Sequence, residues 1–182
     1  MNAPRTLHLA RLTFLILGLW SSARLAAEAP ADFTVPAVVG GPEFKLSAAQ
    51  GDYVALHFLL KTECPVCLRH TRGYLQRSAE LPGVRQVFLK PDTTEEIQAW
   101  ARDLGKDLPL YRDVDAKLAK AYGIPDGYAF HGQTVHFPAL VLLDPAGREV
   151  FRYVGTSNRE RYSFDDLKLK VAELRSTKAA KK

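Results

Sequence analysis

The chain has 182 residues, 47% of them hydrophobic, and two cysteines; that is long enough to bury one core without disulfide staples. Much of its formal charge of +5 sits at the ends: Arg5, Arg11 and Arg24 lie near the start and Lys178, Lys181 and Lys182 at the finish, and without these six the body is near −1. A nucleic-acid surface is therefore not indicated, and the basic tail over 177–182 reads as a solvated end.

Arg5 and Arg11 precede an apolar stretch, Leu12 to Trp20, which small residues and an Ala27-Glu28-Ala29 sequence follow. This is the pattern of a secretory signal peptide over 1–29, and the mature chain is expected to begin between about Glu28 and Pro30. The stretch is shorter than the roughly 20 residues of a spanning helix, and no cysteine follows it to carry a lipid, so no stable membrane anchor is expected. One domain over 30–176 and an exported, periplasmic or otherwise extracytoplasmic location follow from this reading.

Asp32 to Pro36 and Phe44 to Leu46 read as short strand-like pieces around a turn at Gly40-Gly41-Pro42. Tyr53 to Leu60 is apolar except for His57, the mark of a central strand covered on both faces. A helix opens at Pro65, with Leu68, Leu75 and Ala79 along one side, and ends by Pro82-Gly83. Val84 to Leu89 is a second strand. Thr93 or Thr94 caps a helix with the apolar face Ile97, Trp100, Ala101 and Leu104, stopped at Gly105.

Leu108 to Tyr111 is a short extended piece and Ala116 to Tyr122 a short helix, while Gly123 to Phe137 lacks a period and reads as a loop. Ala139 to Leu143 and Arg148 to Val154 form a hairpin around Asp144-Pro145-Ala146-Gly147, which fits a type I turn. Ser163-Phe164-Asp165-Asp166 caps a last helix with the stripe Phe164, Leu167, Val171 and Leu174. The order predicts an α/β fold, a mixed central sheet with helices on both faces.

The chemistry concentrates in Cys64-Pro65-Val66-Cys67, at the junction of strand and helix. Two thiols so spaced can close a small disulfide, and the start of a helix favours a thiolate by roughly 0.3–1 kcal/mol. Cys64 is thus the expected nucleophile and Cys67, one turn in, the resolving thiol. Glu63 opposes the ionisation and Lys61 offsets it. His57 could carry protons near the pair; a satisfied polar group in the sheet is the plainer role for it, as a solvated helix position is for His70.

With this motif, Phe137-Pro138-Ala139-Leu140 and Leu143-Asp144-Pro145-Ala146-Gly147 in the same order, the chain resembles the thioredoxin-like superfamily in its redoxin branch, over roughly Asp32 to Leu174. There, exported thioredoxin-type reductases meet peroxiredoxins of the alkyl hydroperoxide reductase/thiol-specific antioxidant family. The resemblance implies a thioredoxin-like fold, a protein disulfide substrate, a redox partner that resets the cysteines, and no cofactor. It also implies that the Phe137–Pro138 bond is cis, with Pro138 packed against the cysteines and offering backbone groups to a substrate strand.

The reading favoured is an exported thiol–disulfide oxidoreductase using Cys64, Cys67 and Pro138. A peroxiredoxin-like peroxidase, with Cys67 as the attacking cysteine, is the first alternative. Its P-x-x-x-T-x-x-C pattern meets Leu60 in place of proline and Cys64 in place of threonine, and its arginine, about six residues before Asp144, is replaced by Pro138. A copper-binding metallochaperone of thioredoxin fold, using both thiolates and a histidine, is the second, suggested by the place of His136 two residues before Pro138; His131 lies in the same stretch. Haem attachment fails because Leu68 follows the pair, and a zinc site lacks grouped ligands.

Overall fold

The structure, a computed structural model, describes residues 32–61, 64–102, 104–105, 107–130 and 133–180. The expected signal segment over 1–29, Glu63 and His131 lie outside the described residues. β1 (Thr34–Val35) and β2 (Phe44–Lys45) pair antiparallel ahead of the core. Then come β3 (Tyr53–Phe58), α1 (Pro65–Arg77), β4 (Val84–Lys90), α2 (Thr94–Ala101), β5 (Leu110–Arg112) and α3 (Lys117–Ala121). Two hairpins follow, β6 (Asp126–Phe130) with β7 (Gln133–His136) and β8 (Ala139–Leu143) with β9 (Glu149–Val154), before α4 (Phe164–Ala180). Helix α4 runs on through residues 177–180 of the tail.

The main sheet has the order β5-β4-β3-β8-β9. Strands β3, β4 and β5 are parallel, and β8 and β9 are antiparallel to their neighbours, so the sheet is mixed as predicted. β3 is buried at all six positions because it is the middle strand, with side chains committed to both faces. Val54, Leu56 and Phe58 meet Leu118 and Ala119 of α3 and the β1–β2 pair on one face. Tyr53 and Ala55 face the other, with Tyr74 of α1, Ala101 of α2, and Phe164, Leu167 and Val171 of α4.

The caps act as the residues foretold. Thr93 and Glu96 close a reciprocal capping box on α2, and Ser163 Oγ accepts the Asp166 N–H at 3.1 Å. Helix α3 needs more help, since Ala116 precedes it at φ 54° with no cap of its own and Asp115 stands at φ 56°. Buried Asp113 supplies that help by accepting the Leu118 and Ala119 N–H groups at 2.8 and 3.0 Å.

Two expectations are corrected. Gly123 to Phe137 is not a loop: it contains β6 and β7, paired as their own two-stranded sheet. Their register shifts between Asp126 and Tyr128, which breaks the alternation by which strands are read. Gly127 lets Phe137 close on this hairpin, because a Cβ there would lie 2.8 Å from the ring. The Phe137–Pro138 bond is not cis, since the described residues contain no cis peptide. Phe137 N–H donates to Pro125 O at 3.0 Å and Pro138 O accepts from Gly155 N at 2.9 Å, so both hairpins run extended through the proline. The Pro138 carbonyl is therefore already engaged.

Candidate redox site

Strand β3 delivers the chain to the mouth of the sheet, and Cys64 N–H donates to Lys61 O at 3.1 Å to turn it into α1. Cys64 is the N-cap of that helix, its sulfur accepting the Cys67 N–H at 3.1 Å. Pro65 at the first helical position suits the start because its missing N–H has no partner to lose. Both cysteines are free thiols; Cys64 is half-buried and Cys67 fully buried, at 0% exposure. The cysteine that reaches solvent is therefore the one whose sulfur caps the helix.

One side chain that the sequence reading missed joins the pair. Arg161, in the loop ahead of α4, donates from one terminal nitrogen to Cys67 Sγ at 2.9 Å and to Cys64 Sγ at 3.3 Å. Its other terminal nitrogen is held by the carbonyls of Glu160 (2.6 Å) and Asn158 (3.2 Å). No local signal marks it: Arg161 lies 94 residues beyond Cys67, far from the position where the peroxiredoxin pattern has its arginine and this chain has Pro138.

Lys90, at the end of β4, is wholly buried; it donates to Leu60 O, pairs with Asp92 at 3.5 Å and lies 4.5 Å above the Trp100 ring. Burial pulls the Lys90 ammonium below its ordinary range, against the favourable charges of Cys67 and Asp92. Burial also works against a Cys67 thiolate. The Cys64 hydrogen bond, Arg161 and Lys90 outweigh it and lower Cys67 to about 6. Cys64 moves up, first through its hydrogen bond with Cys67, then through burial and the charge on Cys67. The two sulfurs thus share one proton and titrate as a unit.

His57 takes the structural role. Its Nε2 lies 2.8 Å from Gln86 Oε1, which can only accept, so Nε2 carries the proton and Nδ1 accepts from His70 Nε2 at 3.1 Å. Its ring stacks on Phe88 at 4.4 Å. Burial lowers His57 to about 4 and, with the charges of His57 and Arg161, His70 to about 2, so both are neutral. His70 is not a solvated surface residue; it lines a small enclosed space with His57, Pro138 and Arg161. Pro138 thus neighbours the guanidinium that holds the sulfurs. His136 turns its Nδ1 to Phe137 O at 2.7 Å. Among the described residues no three His, Cys, Asp or Glu side chains gather as metal ligands.

A mixed five-stranded sheet with a dithiol capping the helix after its middle strand defines a thioredoxin-like protein of the redoxin type. The chain belongs to the AhpC/TSA family, whose model matches residues 26–150. No protein of curated function matches significantly. Among solved structures, it is similar to peroxiredoxin 6 of Arenicola marina, at 17% identity over 84% of this chain and 74% of that one, with a TM-score of 0.70. AhpC of Mycobacterium bovis is similar at 16% identity over 82% and 90%, TM-score 0.68. So is an exposed lipoprotein thioredoxin of Streptococcus pneumoniae, at 21% identity over 79% and 99%, TM-score 0.62. Among the described residues no helix is long and apolar enough to cross a membrane.

Proposed function

We propose that this protein is an exported thiol–disulfide oxidoreductase acting on protein disulfides, with Cys64 as nucleophile and Cys67 as resolving thiol. The observation that carries this reading is the difference in access between the two sulfurs: Cys64 is half-buried and Cys67 is at 0% exposure. A disulfide held in a folded protein is bulky and can meet only the sulfur that reaches solvent.

In the first step the proton that the pair shares passes from Cys64 to Cys67, and the Cys64 thiolate so formed attacks one substrate sulfur, forming a mixed disulfide as the substrate S–S bond breaks and its other sulfur leaves as a thiolate. In the second, Cys67 gives its proton to that thiolate and attacks Cys64 Sγ, closing the Cys64–Cys67 disulfide, and the second substrate sulfur leaves as a thiolate that takes a proton from water, which completes the dithiol. Two electrons pass from protein to substrate. Arg161 hydrogen bonds to both sulfurs, so the negative charge can pass between them without leaving its guanidinium partner. A redox partner must then reduce the closed pair.

A second reading, peroxide reduction at Cys67, is favoured by the 2.9 Å Arg161 contact and by the lowered ionisation of that thiol. The wild-type protein is expected to reduce a protein disulfide readily and to consume hydrogen peroxide slowly. Parallel stopped-flow assays on the reduced protein decide between them: fast peroxide consumption with no disulfide reduction overturns the proposal. Export is checked by N-terminal sequencing of protein from a secretion-competent host. A first residue near Glu28 to Pro30 is expected, and recovery of Met1 from the membrane fraction counts against export.

A further inference from the structure

We propose that the groove running along α1 from the redox pair binds an acidic segment of the substrate protein, adjacent to the disulfide that Cys64 attacks. This rests on the oxidoreductase reading and specifies its substrate class. The groove encloses about 400 Å³. One wall is a helical stripe, Val66, Arg69, His70, Gly73 and Arg77, and the other is the loop carrying Arg159, Arg161 and Tyr162. Val66 lies between the two cysteines, so the groove begins at the reactive centre. The eleven helical steps from Val66 to Arg77 make it about 16 Å long, the span of roughly five extended residues.

Its charge is of one sign. Four arginines line it, and no carboxylate among the described residues does. The acids nearby are committed elsewhere: Glu80 and Asp165 hold Arg77 at 2.8 and 2.7 Å, Glu160 binds the Thr156 N–H at 2.8 Å, and Asp166 pairs with Ser163 Oγ at 2.6 Å. Arg161 is occupied by the sulfurs. Arg69 and Arg159 are exposed and make no ion pair among the described residues, which leaves two cations facing each other across the groove for a partner's carboxylates.

The helical wall carries the second observation. Gly73 sits inside α1, where glycine is less favourable than alanine, and a Cβ there would meet nothing within 4 Å. Packing does not require the glycine. Its effect is to leave room along that wall where a bound main chain must pass, whereas a small anion would need only the arginines.

The test uses three synthetic peptides with the same intramolecular disulfide, flanked by glutamates, serines or lysines, together with cysteine-free versions. The reduced protein is expected to reduce the glutamate peptide with kcat/KM about tenfold above the serine peptide and the lysine peptide more slowly, with the ranking collapsing at high salt. Arg69→Glu with Arg159→Glu should reverse the ranking of the glutamate and lysine peptides. Gly73→Phe should remove the preference and Gly73→Ala should keep it. Fluorescence anisotropy with the cysteine-free glutamate peptide is expected to show about tenfold tighter binding than its serine counterpart. Equal rates and equal binding across peptides overturn the groove while leaving the oxidoreductase intact. Preferential binding of the glutamate peptide with no reduction of any peptide keeps the groove and overturns the oxidoreductase.

Discussion

In Cys67→Ser a protein disulfide substrate is trapped on Cys64 as a stable mixed disulfide, while in Cys64→Ser disulfide exchange is abolished. The asymmetry follows from the N-cap geometry. Cys64 carries the half-buried sulfur and Cys67 N–H points at it from 3.1 Å, whereas Cys67 has no exposed surface. Removing Cys67 leaves attack possible and resolution impossible; removing Cys64 leaves a thiolate that no folded substrate can reach. A peroxidase assigns the roles the other way, because hydrogen peroxide is small enough to enter, and Cys67 would be oxidised to a sulfenic acid that Cys64 resolves. Intact-mass spectrometry after separate exposure to a disulfide substrate and to hydrogen peroxide reads both chemistries. Fast sulfenic acid formation that persists in Cys64→Ser, with no mixed disulfide in Cys67→Ser, would reverse the assignment.

Arg161→Met should move the pH profile of disulfide exchange to the alkaline side. Hydrogen bonds to a charged group contribute about 1.5–3 kcal/mol, so their loss raises the first ionisation of the pair by roughly 1 to 2 pH units. Starting from about 6, the thiolate fraction at pH 7 falls about 2- to 10-fold and recovers above about pH 9. The rate and the thiolate absorbance near 240 nm should move together. A rate loss that persists at pH 9 would mean that Arg161 acts on substrate and not on ionisation. Stability of the reduced protein follows the same sign. The pair ionises below an unfolded thiol at about 8.5, so between about 6 and 8.5 the folded state binds fewer protons than the unfolded state. That contribution is lost as pH falls through about 6, and Arg161→Met diminishes it.

The elements carrying their own local instructions were legible in the sequence. β3 announced itself by an apolar run interrupted only by His57, α1 by proline at its first position, α2 and α4 by their caps, and the β8–β9 turn by Asp144 and Gly147. The β6–β7 hairpin was not legible, because it packs outside the main sheet and a register shift interrupts its alternation. The segment around Pro138 is hydrogen-bonded to Pro125 and Gly155, neither of which a motif includes. The dithiol was visible as a pair, but its electrostatics were not. Arg161 and Lys90 reach it from distant segments, and the position of the peroxiredoxin arginine holds Pro138 in this chain. His70 looked solvated because helical spacing alone does not reveal that His57 lies beneath it.

The hydrogen bonds from Arg161 have a consequence for the protein as a redox couple. They hold a guanidinium against sulfurs that carry one negative charge when reduced. A disulfide is neutral, so oxidation leaves that cation without its counter-charge at the head of a channel already lined by arginines. An anionic ligand there meets one more available positive charge in the oxidised form than in the reduced form. Linkage makes the effect reciprocal: the ligand that prefers the oxidised form makes that form harder to reduce. For a two-electron couple a tenfold preference lowers the potential by about 30 mV. The redox poise of this dithiol is then a property of the complex it forms, set in part by the acidity of the partner seated beside it.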